Sequence, residues 1–178
     1  MKRWSVVLFL ILFLWNPLTL MAREKSVEFT TYRASLASFC VDIPKNWEVE
    51  NPPQSLNPYL VFLAWNPETQ VEVTLEYKDF GSFDRFRERV REDIIVFPNV
   101  TITGEGETTI DHSPAYWFDY LFEEENTEMQ GRLYLFTRNQ GFYRIICLSS
   151  RKHFQRYLPI FEHITQSFTF VTDRDESQ

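Results

Sequence analysis

The sequence predicts an α+β fold: an antiparallel sheet of about six to seven strands with helices packed on it. Three observations carry that expectation. Short segments in which every second residue is apolar recur along the chain, the spacing of half-buried strands. Only two stretches place apolar residues at helical spacing, around Phe86 and around Phe161. The order of segments, three strands, a helix, four strands and a helix, contains no repeat and no shift in composition. It therefore describes one domain, over residues 23–172, with a polar tail at 173–178 that should fray.

Residues 27–33 read as a short extended lead-in. Phe39, Val41 and Ile43 then alternate with Cys40 and Asp42 in a strand stopped by Pro44. The proline-rich stretch 51–58 cannot join a central sheet. Residues 59–65 and 71–77 form a hairpin around Asn66-Pro67-Glu68-Thr69, with Val71, Val73, Leu75 and Tyr77 on one face. Ser82 is placed to cap a helix running to about Phe97. Asp84 favours the positive end of its dipole, and Phe83, Phe86, Val90 and Ile94 form its packing stripe. Strands follow at 101–110, 115–123, 132–138 and 142–149, the first interrupted by a bulge at Gly104 or Gly106. Asn139-Gln140-Gly141 should be a tight hairpin in which the glycine supplies the positive φ. The last helix spans 151–167, with Phe154, Tyr157, Phe161, Ile164 and Phe168 on one stripe, and Pro159 should kink it or start its second half.

The first 22 residues speak to compartment. Lys2 and Arg3 precede an unbroken apolar run from Val6 to Trp15, Asn16-Pro17 breaks it, and Ala22 stands before Arg23. That is the plan of a secretory signal peptide, with an uncleaved signal anchor as the alternative. Either way the remainder is exported, and the membrane is touched only through an uncleaved N-terminal segment. The formal net charge is −7, so the chain repels nucleic acid and anionic lipid at long range.

Three groups of residues resemble a known family. Phe39-Cys40-Val41-Asp42-Ile43-Pro44-Lys45-Asn46-Trp47 resembles the first-strand signature of PsbP-like domains, a strand ending in Pro-x-x-Trp. Ser113-Pro114-Ala115-Tyr116-Trp117-Phe118-Asp119-Tyr120 is similar to their mid-sheet strand, and Ser167-Phe168 to their usual ending. The order of elements matches from about residue 27 to residue 171. The family includes extrinsic subunits of photosystem II, bacterial envelope proteins of the DcrB type and Ran-binding Mog-type proteins. The resemblance implies a compact α-β-α sandwich that binds a partner and is not an enzyme.

Catalytic patterns are weak. Asp111-His112-Ser113 holds the letters of a triad, but adjacent residues cannot converge as a triad requires, and they read as a turn. Phosphate loops, dinucleotide glycines and paired zinc cysteines are absent from the sequence. Glu123, Glu124, Glu125 and Glu128 form the best cation candidate. They lack the alternating Asp/Asn ligands and turn glycine of a calcium loop, and a solvated acidic hairpin explains them better. No cofactor is therefore expected, calcium being the sole one with any pattern behind it.

The residues that point towards a binding site are Trp117, Asp119 and Trp65. Trp117 shares a strand face with Ala115, Asp119 and Leu121, and is core if helices cover both faces or part of a docking patch if they do not. The leading functional expectation is an exported, non-catalytic binding or accessory domain attached to a protein complex in the envelope or at the membrane. A hydrolase or lyase assembled from scattered Asp, Glu and His residues is the alternative, and a purely structural envelope protein is the third. Cys40 and Cys147 could pair after export, but only if their strands are neighbours in register, and free thiols are expected.

Overall fold

The computed structural model describes residues 26–34, 37–50, 57–77, 80–97 and 99–171. The apolar N-terminal run and the tail 173–178 lie outside the described residues, and with them the expected signal or anchor. Among the described residues no helix is long and apolar enough to cross a membrane. The elements in chain order are β1 (Phe29–Ala34), β2 (Phe39–Pro44), β3 (Glu48–Glu50), β4 (Leu60–Asn66), β5 (Thr69–Glu76) and α1 (Phe83–Val96). β6 (Thr101–Ile110), β7 (Ser113–Glu124), β8 (Thr127–Arg138), β9 (Gly141–Ser150), α2 (Arg151–Ser167) and β10 (Thr169–Phe170) follow.

The fold is α+β, as the sequence predicts. A seven-stranded antiparallel sheet runs β3-β4-β5-β9-β8-β7-β6, and a three-stranded sheet runs β1-β2-β10. Strict alternation sets the large sheet's two faces: in β5 and β9 every second residue is buried. On one face Val71, Val73, Tyr143, Ile145, Tyr134 and Phe136 meet α2 and the small sheet in the main core. On the other face α1 sets Phe86 and Val90 against Phe118, Leu133 and Leu135. Phe39, Phe62, Phe136, Phe168 and Phe170 join the two sheets through ring contacts centred 4.4 to 6.2 Å apart.

Local expectations meet the structure unevenly. The Ser82 hydroxyl accepts from the Arg85 amide at 3.2 Å, capping α1 as its position suggests. The β6 irregularity falls between Ile102 and Gly104. α2 runs as one helix through Pro159. Residues 27–33 were expected only as a lead-in, yet 29–34 are a strand pairing with β2. Their apolar residues Phe29, Tyr32 and Ala34 are unevenly spaced, which hides the strand period. β3 and β10, of three and two residues, are too short to carry any period.

The hairpins correct one residue. In the 139–141 turn, Asn139 and Gln140 adopt positive φ of 49° and 67°, and Gly141 opens β9. A Cβ there would stand 2.7 Å from Leu75 Cδ1 and 3.2 Å from the Arg138 carbonyl oxygen, so a side chain would crowd the turn. Asp111-His112 and Glu125-Asn126 turn in the same left-handed way without glycine.

Candidate functional site

The C-terminal half of α1 does not lie flat on the sheet. Val90 is buried, Ile94 is half-buried one turn later, and the next residues emerge into solvent. Ile95 is 52% exposed, Val96 79% and Phe97 66%. Between this helix end and the sheet lies an apolar groove of about 410 Å³, in the size range of ligand and peptide sites. Val90, Ile94 and Phe97 form one wall. Tyr120 and Phe122, stacked with ring centres 5.8 Å apart, line the other side with Leu133 and Ile146.

Two sequence choices shape the groove. Gly131 stands opposite Tyr120 in register, and any Cβ there would come within 2.4 Å of the Tyr120 ring. The missing side chain lets the phenol lie down across β8, and burial holds its pKa well above the usual value. Arg144, the cation in the lining, is already engaged with Glu76 at 2.6 Å.

Trp117 and Asp119 lie on the opposite face of the sheet. Trp117 is half-buried over Gly104 and Gly106, where a Cβ on Gly106 would sit 3.0 Å from its indole. The Arg132 guanidinium covers the other side of the ring at 4.5 Å from its centre. Arg132 donates two hydrogen bonds to the Asp119 carboxylate, 2.6 and 2.8 Å, and reaches Glu162 of α2 at 3.4 Å. The carboxylate holds Arg132 firmly protonated. Beneath them burial pushes the Tyr134 phenol up to about 12 and the Cys147 thiol upward as well. Trp117 therefore packs against the main core and belongs to a closed network tying β7 and β8 to α2.

Trp65 is not brought to this pair. Through the register Trp65–Gln70–Leu148–Gly131–Tyr120 it belongs to the α1 side of the sheet, on β4, which β5 separates from the β9 wall of the groove. There it lines a smaller hollow of about 210 Å³ with Glu68, Gln70 and Glu124. Glu123, Glu124, Glu125 and Glu128 all lie exposed on or beside the β7–β8 hairpin, and Glu128 pairs with Arg151 at 3.1 Å. Among the described residues no group of three His, Cys, Asp or Glu side chains is gathered to hold a metal ion. Cys40 and Cys147 stand in different sheets, and both thiols are free.

Among the described residues two histidine–carboxylate contacts occur, His163 to Asp42 at 3.5 Å and His153 to Glu68 at 3.7 Å. Both are longer than the hydrogen bonds of a working acid–base pair. Ser167 lies near the first, but its hydroxyl donates to the Ile164 carbonyl and accepts from the Asp42 amide. Asp111 and His112 form the β6–β7 turn, with the Asp111 carboxylate accepting from the Phe170 amide at 3.3 Å.

The family model described as PsbP-like protein matches residues 19–170. The chain belongs to the PsbP-like family. No curated protein matches the sequence. Cyanobacterial PsbP (CyanoP) from Synechocystis has the same fold, with TM-score 0.61 at 12% identity over 87% of this chain and 99% of that one. LpqN, involved in cell envelope biogenesis of Mycobacterium tuberculosis, gives TM-score 0.58 at 10% identity over 84% and 94% of the two chains. The Ran-binding protein Mog1p of Saccharomyces cerevisiae gives 0.56 at 8% identity over 84% and 98%. Likeness at such identities concerns the fold alone. In the Pro44-x-x-Trp47 segment Trp47 is buried in the main core, with its ring centre 6.2 Å from that of Tyr157.

Proposed function

We propose that this PsbP-like domain is an exported, non-catalytic accessory module that attaches to a protein complex in the envelope or at the membrane, and that it docks through the α1 groove. The observation that carries the reading is the groove itself, an apolar trough lined by Phe97 at the end of α1, where Ile95 and Val96 are exposed as well. A run of three exposed apolar residues beside an apolar cleft is the surface of a binder, because solvated helix ends carry polar residues there. The signal-like N-terminus supports export, and the acidic surface argues against nucleic acid as the partner. Trp117 and Asp119 support the docking face from behind by bracing β7, and Trp65 marks a separate, smaller contact.

Site-specific cross-linking in the native host tests this. A photo-reactive residue in place of Phe97 should yield one discrete adduct in the envelope fraction, and the same residue in place of Tyr59 should not. Retention of the protein in the cytoplasm, or equal adducts from both positions, would overturn the reading.

A further inference from the structure

We infer that the α1 groove receives an amphipathic segment of a partner protein, apolar along one face and flanked by lysine or arginine. The inference rests on the docking role proposed above and specifies the chemistry of what docks.

Shape sets the apolar half of the argument. Val90, Ile94 and Phe97 are spaced i, i+4, i+7, so this wall extends about two helical turns, roughly 10 Å. The facing wall of Tyr120 and Phe122 presents two stacked rings. A trough of that length accepts two or three apolar side chains from one face of a helix, the usual geometry of helix-in-groove recognition.

Charge sets the other half. Glu123 borders the end of the groove, Glu124 follows on the strand face that carries Tyr120 and Phe122, and Glu125 lies in the turn beyond, all three exposed and with no ion pair to a cation among the described residues. Asp93, also in the lining, is engaged with Arg89 at 3.2 Å, and Arg144 is engaged with Glu76. The last turn of α1 carries no basic residue, so the negative end of its dipole opens uncompensated at the same mouth. The mouth thus presents unpaired negative charge around an apolar floor. An anionic lipid surface or a phosphate would be repelled, and a second copy docking groove to groove would set like charges against each other. A basic flank on an apolar segment satisfies both requirements at once.

Fluorescence anisotropy of the purified protein with three labelled sixteen-residue helical peptides decides the matter. The peptides share leucines at i, i+3, i+4 and i+7 and differ in carrying Lys, Gln or Glu on the flanks. The lysine peptide should bind at least about tenfold more tightly than the glutamate peptide at low ionic strength, with the gap shrinking as salt rises. E123Q/E124Q should narrow that gap, and Phe97→Asp should abolish binding with an unchanged melting temperature, since Phe97 is mostly exposed. Equal binding of all three peptides would overturn the charge inference and leave the docking role standing. Binding of none, with the Phe97 cross-link in the envelope still present, would overturn the inference in favour of a partner of other chemistry. Loss of both would remove the docking role too. A dimer in sedimentation that dissociates on Phe97→Asp would assign the groove to a second copy and overturn the inference.

Discussion

Arg132 carries three kinds of contact at once: a two-bond pair with Asp119, a cation–π contact with Trp117 and a longer reach to Glu162. Its side chain is only 14% exposed and that of Asp119 16%, so the pair is largely out of water. A pair in that position stabilises little relative to apolar replacements, but breaking it strands a charge. Asp119→Ala should therefore cost about 2–3 kcal/mol, below the fully buried range because Glu162 and some solvent remain. The double replacement Asp119→Leu with Arg132→Met should cost less than the single change. Urea denaturation of the three proteins measures both, and a cost below about 0.5 kcal/mol for Asp119→Ala would mean the network is a surface ornament. Trp117 is held by the same contacts, its half-buried indole packed against the main core with Arg132 over the ring.

At the scale of elements, the hairpins show the sequence solving a turn without its preferred residues. Asn139 suits the left-handed region, but Gln140 at φ 67° carries a Cβ that this region disfavours. Gln140→Gly should stabilise by about 0.5–1 kcal/mol, because Asn-Gly is the favoured pair for such a two-residue turn. A thermal melt showing no gain or a loss would mean that Gln140 makes compensating contacts. What was legible follows the same physics. Long strands with a clean period of two, such as β5 and β9, and the stripe Phe154, Tyr157, Phe161 and Ile164 of α2 were readable because burial enforces their spacing. β3 and β10 were not, since pairing of two or three residues is decided by distant partners. The groove was hidden for a related reason. Tyr120 and Phe122 read as one face of a strand, and only the docking of α1 determines how much of that face stays uncovered. The one local signal was the run Ile95-Val96-Phe97, more apolar residues than the α1 stripe can bury.

For the molecule as a whole, the buried ionisable groups predict how the fold responds to alkali. Burial raises the pKa of Cys147 above its ordinary range, and likewise of Tyr120, Tyr134 and Tyr143. In each case the protonated, neutral form is favoured in the folded chain. Above the ordinary thiol pKa of about 8.5 the unfolded chain loses a proton that the folded chain keeps, so unfolding gains free energy as pH rises. Stability is thus fully present below that pH and declines above it, by up to about 1.4 kcal/mol per pH unit for the single thiol. The tyrosines join above about pH 10 and steepen the loss. Rising negative charge also destabilises an acidic protein, but that contribution is common to any variant of the same charge. Urea unfolding from pH 7 to 10.5 should therefore be run on the native sequence and on Cys147→Ala. The variant begins less stable from the small void it creates, so the slopes are compared and not the absolute values. Between about pH 8.5 and 10 the native protein should lose stability more steeply than the variant, with the difference approaching one proton's slope. Parallel profiles over that interval would mean that the Cys147 thiol ionises as freely in the folded chain as in the unfolded one.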